Sequence, residues 1–278
     1  MSIHACSKVL VASSLVLAAA CGKPEQSAPA QEPTAVDPPP AAPAPEPEPP
    51  APAGGEGLAS EQIKAETGEV SLTPIQHASM ILTVGGKNIF VDPWSKGPLP
   101  DAPKADMILI TDNHFDHLDL PGVEKVKQEG TTIVGPKVVA EKLPQTVVIN
   151  NGETKEVLGI SIQAVPMYNL KRGPEEGKLF HDKGRGNGYI LTLEGSRFYI
   201  SGDTECIDEM KGLENIDVAF VCMNLPYTMP PEEAAECVKA FQPKVVYPYH
   251  YGESDLEVFK QALADQSGVE VRLRTWYH

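Results

Sequence analysis

The chain is short of positive charge: 23 Lys and Arg face 38 Asp and Glu, a formal net charge of −15. Residues 58–278 alone hold 21 basic and 32 acidic side chains, a balance of −11. Such a surface repels nucleic acid, which is set aside as a partner, and an anionic substrate would need local cations or a metal. Long apolar runs are lacking too. Residues 9–20 are apolar apart from Ser13 and Ser14, and twelve residues are too few to span a bilayer. Cysteine is scarce: beyond residue 57 there are only Cys206, Cys222 and Cys237. An odd number leaves at least one thiol free or paired with another molecule, and a disulfide is allowed but not assigned. Cys206 lies close enough after Asp203 to be weighed as a ligand, and a buried structural thiol is the reading preferred. No internal repeat and no long polar linker interrupts 58–278, so those 221 residues fit one large domain.

What is present begins with an export signal. Lys8 and the amino terminus precede the apolar run, and Ala18-Ala19-Ala20 precede Cys21. Residues 1–21 therefore resemble a bacterial lipoprotein signal, with Cys21 as the lipidated amino terminus after cleavage, and an ordinary cleaved signal as the alternative. Residues 22–57 hold twelve Pro among many Ala and Glu, as in Glu46-Pro47-Glu48-Pro49-Pro50. They cannot build a core and read as an extended tether. The expected location is outside the cytoplasm, lipid-anchored to a bacterial membrane on the periplasmic or cell-surface side, with membrane contact through Cys21 only.

Strand signals recur at short spacing: 69–74, 79–84, 87–91, 107–111, 131–134, 146–149, 160–164, 189–193, 197–201, 218–221 and 245–247. Gly85-Gly86 and Glu194-Gly195-Ser196 read as hairpin turns. Helices are expected at 231–241, which opens on Pro and aligns Ala234, Val238 and Phe241, and at 254–264, with a Ser254/Glu257 capping box. Shorter ones are expected at 60–67, 121–128, 136–142 and 207–213. Strand runs followed by helices predict two sheets packed face to face with helices outside.

The chemistry gathers at 110–117, Ile-Thr-Asp-Asn-His-Phe-Asp-His. His114, Asp116 and His117 lie within four residues, directly after the apolar run 107–110. Imidazole and carboxylate at that density suit a divalent cation able to acidify water; the alternative is an exposed polar turn. Other polar residues follow apolar strands: Asp92, Asn169, Asp203 and His250. Packed sheets can bring strand ends to one edge.

Together, Asp92-Pro93-Trp94, the 111–117 loop, Gly202-Asp203-Thr204 and Pro248-Tyr249-His250 resemble the metallo-β-lactamase superfamily. Gln76-His77-Ala78-Ser79 and Gly186-Asn187-Gly188-Tyr189 add to this, and the likeness covers nearly all of 68–278. It points to the branch of L-ascorbate-6-phosphate lactonase and N-acyl-phosphatidylethanolamine phospholipase D. The resemblance implies an αββα sandwich with a metal site at one edge. It implies one ion at Asp116, His117 and His250, another at Asp112, His114 and Asn169, and Asp203 bridging them. The family's loop has His where Asp112 stands and its third motif has His where Asn169 stands. The second half thus trades imidazole for oxygen, which favours harder ions. Zn or Mn, as one or two ions, is expected.

Asp203, Asp116 and Asp112 are the candidate catalytic carboxylates: Asp203 to orient water and accept its proton, Asp112 as ligand or general base. His77, His181 and Tyr227 are candidate substrate contacts, and Lys183 and Arg185 could meet an anionic group. The expected activity is metal-dependent hydrolysis of an ester, lactone or phosphodiester in a small molecule. The alternative is an exported binding or scaffold protein that keeps the fold without turnover. Oligomeric state is left open.

Overall fold

The computed structural model describes residues 58–278; the signal segment, Cys21 and the tether lie outside the described residues. Two seven-stranded mixed sheets carry the fold. Sheet one runs β1 (Glu61–Lys64), β2 (Glu69–Gln76), β3 (Ser79–Val84), β4 (Lys87–Val91), β5 (Met107–Leu109), β6 (Thr132–Gly135), β7 (Val147–Val148), in that spatial order. Helices α1 (Leu120–Val126) and α2 (Lys137–Ala140) connect its later strands. Sheet two contains β8 (Thr154–Val157), β9 (Ile160–Met167), β10 (Gly186–Leu193), β11 (Ser196–Ile200), β12 (Val218–Cys222), β13 (Val245–Tyr249) and β14 (Glu270–Val271). Helices α3 (Asp208–Lys211), α4 (Pro231–Phe241) and α5 (Leu256–Ala262) fill its crossovers.

Each sheet is half antiparallel and half parallel. β1 to β4 form hairpins, then β4 to β7 pair in parallel. In sheet two β8 to β11 are antiparallel and β11 to β14 parallel. Side-chain alternation explains the layers. Met80, Leu82, Ile89, Val91, Met107 and Leu109 join the large core cluster shared with sheet two. Ile81, Phe90 and Ile108 point the other way, into a smaller cluster with Val123, Val126 and Val139 of α1 and α2. A sheet covered on both faces needs apolar residues at nearly every position of its central strands, which is why 107–110 reads as one run. Carboxyl ends of the parallel strands leave a crevice, the usual place for a site in such sheets.

Gly85 and Gly86 both take positive φ, 54° and 75°, as a two-residue primed turn requires. The segment 60–67, expected as helix, is instead β1. Ile63 is buried between exposed Gln62 and Lys64, and the Ala65 N–H donates to the Gly68 carbonyl to close a hairpin onto β2. Pairing along a half-formed edge outweighed a weak helical pattern. β8 and β14 carry too few apolar residues to announce themselves. At α5 the N-cap is Asp255, whose carboxylate accepts from the Glu257 N–H, whereas the Ser254 hydroxyl donates to the Met223 carbonyl.

Cys206 and Cys237 form a disulfide between the loop after β11 and α4, and Cys222 is a buried free thiol. Cys206 is thereby removed from the candidate ligands.

Glu61 ties the two sheets at the β1 edge. Its carboxylate accepts from Tyr247 Oη at 2.8 Å and Arg272 Nη1 at 3.1 Å, and from Arg274 Nε. Burial raises its pKa, but the two arginines and Tyr247 outweigh this and hold it below the ordinary 4.5. A depressed carboxyl stabilises above its unfolded pKa and loses that contribution as pH falls through the folded one. Glu61→Gln should cost about 1 kcal/mol at pH 7. Thermal melts of the two proteins should converge as pH falls below 4.5; a constant offset down to acid would refute the linkage.

Candidate metal centre

The site is assembled from strand ends. β4 stops at Val91, and Asp92 turns back with φ 41°. β5 lies parallel beside it and runs into Thr111, whose N–H and hydroxyl both donate to the Asp92 carboxylate, at 2.8 and 2.5 Å. The loop then tightens, with His117 N–H donating to the His114 carbonyl. His117 Nδ1 comes to 2.8 Å from Asp92 Oδ2. An ionised carboxylate only accepts, so Nδ1 carries a proton and Nε2 is the nitrogen that a bound ion would take in place of a proton. Burial pushes the Asp92 carboxyl up, and His117 and Thr111 pull against that shift.

Sheet two supplies the facing groups. Gly202 takes φ 61° after β11 and its N–H donates to Tyr249 Oη at 2.9 Å, which sets the backbone before Asp203. His250 follows β13 with φ 45°, and its N–H donates to the carbonyl of His77, itself at φ 51°. Three non-glycine residues in the left-handed region (His77, Asp92 and His250) surround one crevice. Strain of this kind is retained where side-chain placement matters.

The side chains converge. His117 Nε2 lies 3.4 Å from Asp203 Oδ2 and 3.9 Å from Asp116 Oδ2. His250 Nε2 lies 3.4 Å from Asp116 Oδ2 and 3.5 Å from Asp203 Oδ1. One ligand atom each from Asp116, His117 and His250 lies within 4.8 Å of the others, and the same holds for Asp112, His114 and His181. His117 Nε2, His250 Nε2, His181 Nε2 and Asp203 Oδ1 are buried without a hydrogen-bond partner. Orphaned buried donors of this kind are costly unless something binds them. Imidazole nitrogens and carboxylate oxygens at this spacing fit a divalent cation.

Electrostatics agree. Burial opposes charge on His117, yet Asp203, Asp116 and Asp92 raise its pKa well above 6.5. Burial likewise works against ionised Asp203 and Asp116, but His117 and His250 hold both carboxyls well below their usual range. The pocket therefore favours positive charge strongly. His77, mostly buried, is pushed down to about 4 by burial and by His250 beside it; its Nδ1 meets Tyr277 Oη at 2.9 Å.

The expectation that Asn169 is a ligand gives way to a different arrangement. Its Oδ1 accepts from the His181 N–H at 2.8 Å and lies 2.6 Å from His181 Nδ1. Its Nδ2 donates to Glu205 Oε1 and to the Tyr227 carbonyl. Asn169 thus holds the imidazole of His181, which points Nε2 at Asp203 Oδ2 across 3.3 Å. His181, expected as a substrate contact, stands among the ligand candidates, and it is almost fully buried. Asp112 pairs with Arg185, which leaves it poorly placed as a free base. Lys183 is committed to Glu209, at 2.6 Å, rather than turned toward the cluster's histidines. Tyr227 is half exposed and meets Phe180 edge-on. Nothing in the spacing announced His181 as a ligand, since twelve residues separate it from Asn169; the one clue was a His in a loop that leads straight into β10.

Comparison with known proteins settles the family. The profile of the Beta-lactamase superfamily domain matches residues 71–250. A UPF0173 metal-dependent hydrolase of Methanopyrus kandleri is 31% identical over 220 residues, covering 73% of this chain and 94% of its own. The chain belongs to the metallo-β-lactamase superfamily, as one of its metal-dependent hydrolases. A Thermococcus onnurineus relative of the same UPF0173 description is 34% identical, over 67% of this chain and 89% of its own length. Among solved structures, one described as a metal-dependent hydrolase from Parabacteroides distasonis is 42% identical. It superposes with a TM-score of 0.74, covering 78% of the present chain and 99% of the Parabacteroides distasonis chain. Two packed mixed sheets with a His/Asp edge are what this membership entails.

Proposed function

We propose that this hydrolase cleaves an ester, lactone or phosphodiester in a small molecule at the Asp116–His117–Asp203–His250 cluster. The carrying observation is the set of buried, partnerless donor atoms on His117, His250 and Asp203. A divalent cation held there, Zn or Mn, supplies Lewis acidity and lowers the pKa of water. The chain's own groups do the rest. Asp92 fixes the His117 tautomer. Asp203 and Asp116, kept ionised by His117 and His250, would accept hydrogen bonds from the attacking water and orient it, and Asp203 would take up its proton. His77 and Tyr227 flank the crevice as substrate contacts.

Exposed Phe115, Leu170, Leu225 and Tyr227 sit on the loops that carry the site. Such a rim favours a substrate with an apolar part, which suits a phospholipase-like ester or phosphodiester better than a polar lactone. The location outside the cytoplasm, with a lipid anchor at Cys21, is part of the same reading. The Cys206–Cys237 disulfide supports it, because such bonds persist in oxidising compartments.

Elemental analysis of the purified protein, with a panel of ester, lactone and phosphodiester substrates before and after chelation, tests this. Turnover on one class, lost on chelation and restored by Zn or Mn, is expected. Stoichiometric metal with no turnover on any class would favour the non-catalytic binding protein.

A further inference from the structure

The two halves of the cluster differ. Around His117 and His250 the donor atoms are orphaned. Around Asp112 and His114 a cation is already in place, and it belongs to the chain. Arg185 Nε donates to Asp112 Oδ1 at 3.0 Å and Nη2 donates to Asp112 Oδ2 at 2.6 Å. The same Nη2 lies 3.1 Å from His114 Nε2, while His114 Nδ1 faces Asp112 Oδ2 at 3.2 Å. The guanidinium thus takes both carboxylate oxygens and the imidazole lone pair that a second metal ion would need.

We propose that Arg185 occupies the second cation position, so that the hydrolase binds one divalent ion, at Asp116, His117, His250 and Asp203, with the guanidinium as its permanent positive neighbour. Asp112 is fully buried, and a buried carboxylate requires a partner; the planar fork of arginine satisfies it with two parallel hydrogen bonds. The backbone holds the arginine there. Arg185 N–H donates to the Asp182 carbonyl, and Asn187 N–H, two residues on, donates to the Thr111 carbonyl at 2.8 Å, directly before Asp112. Gly186 permits that approach: a Cβ on it would lie 2.9 Å from the Thr111 carbonyl oxygen. A second divalent ion would have to displace a hydrogen-bonded guanidinium and then sit beside its charge. His181 Nε2, facing Asp203 across 3.3 Å, remains available on the shared side.

The inference rests on the cluster holding metal at all, and one measurement separates the two. Metal-depleted full-length protein is titrated with Zn or Mn by calorimetry, and bound metal is counted after dialysis. Wild type should saturate at about one ion per chain. Arg185→Met, which keeps the stem and removes the charge, should saturate at about two. Adding Asp112→Asn to that variant should return the count to about one. Two tight ions in wild type would overturn the role of Arg185 and leave the metal reading intact; none in wild type would overturn both. An unchanged count in Arg185→Met, or a second ion that survives Asp112→Asn, would also refute it. If Arg185→Met does not fold, the wild-type count decides alone.

Discussion

His117→Ala should empty the site and abolish hydrolysis. The imidazole is completely buried, its Nδ1 is committed to Asp92 2.8 Å away, and its Nε2 points at Asp203 and Asp116. Alanine deletes a nitrogen donor and leaves two carboxylates facing each other with less positive charge between them. Asp116, Asp203 and His250 remain, with one imidazole in place of two, and an ion that favours nitrogen ligands is held far more weakly by that set. Bound metal should fall to background, and turnover should drop on the order of a thousandfold or more, the scale of losing a central electrostatic or acid–base group. Asp92→Asn is the graded companion. It touches no substrate; it removes the charge that orients His117, so metal affinity should weaken by about 10–100-fold while saturating metal recovers most activity. Elemental analysis, circular dichroism and steady-state rates measured against metal concentration check both. Full activity in a folded His117→Ala protein would dispose of the proposed mechanism.

The contrast between those two variants shows what could be read before the fold was known. His114, Asp116 and His117 were legible because three ligand types crowd into four residues after an apolar run, and no core requirement explains that density. Asp92, Asp203 and His250 were legible as polar residues stopping apolar strands, and the resemblance gave their convergence. Central strands were equally plain, since burial on both faces writes continuous apolar runs. The remainder depends on information that sequence spacing does not carry. His181 reaches the site only because the excursion 170–180 folds back and Asn169 captures its backbone and ring. Arg185 faces Asp112 across 73 positions, and only the β10 register beside Thr111 brings them together. A basic glycine-rich loop was visible; that its arginine turns inward to a buried carboxylate was not. The Cys206–Cys237 pairing also waited on geometry, because three cysteines permit three pairings.

Gly122→Ala carries the largest expected effect outside the ligands, and it tests how the site is held rather than what it contains. Alanine favours helix over glycine by roughly 1 kcal/mol, so in an exposed helix the change would stabilise. Here α1 lies against the segment that follows Asp92. A Cβ on Gly122 would fall 2.0 Å from the Pro93 carbonyl oxygen and 2.8 Å from its carbon. Both are backbone atoms, so no rotamer change relieves the clash. The docking is reinforced nearby, where the Ser95 N–H donates to Asp119 Oδ2 at the helix start. Either α1 or the 93–95 segment must move, and each is joined to one partner of the Asp92–His117 pair: Pro93 follows Asp92 directly, and α1 begins three residues after His117. Overpacking of this kind costs typically about 1–3 kcal/mol even where side chains can adjust, and a backbone clash belongs at the upper end, about 3 kcal/mol. The melting temperature should fall markedly, and metal affinity should weaken with it although no ligand has changed. Chemical denaturation of the metal-free proteins measures the first effect and calorimetric titration the second. A variant as stable as wild type, binding metal normally, would mean that the close approach of α1 to Pro93 does not position the site.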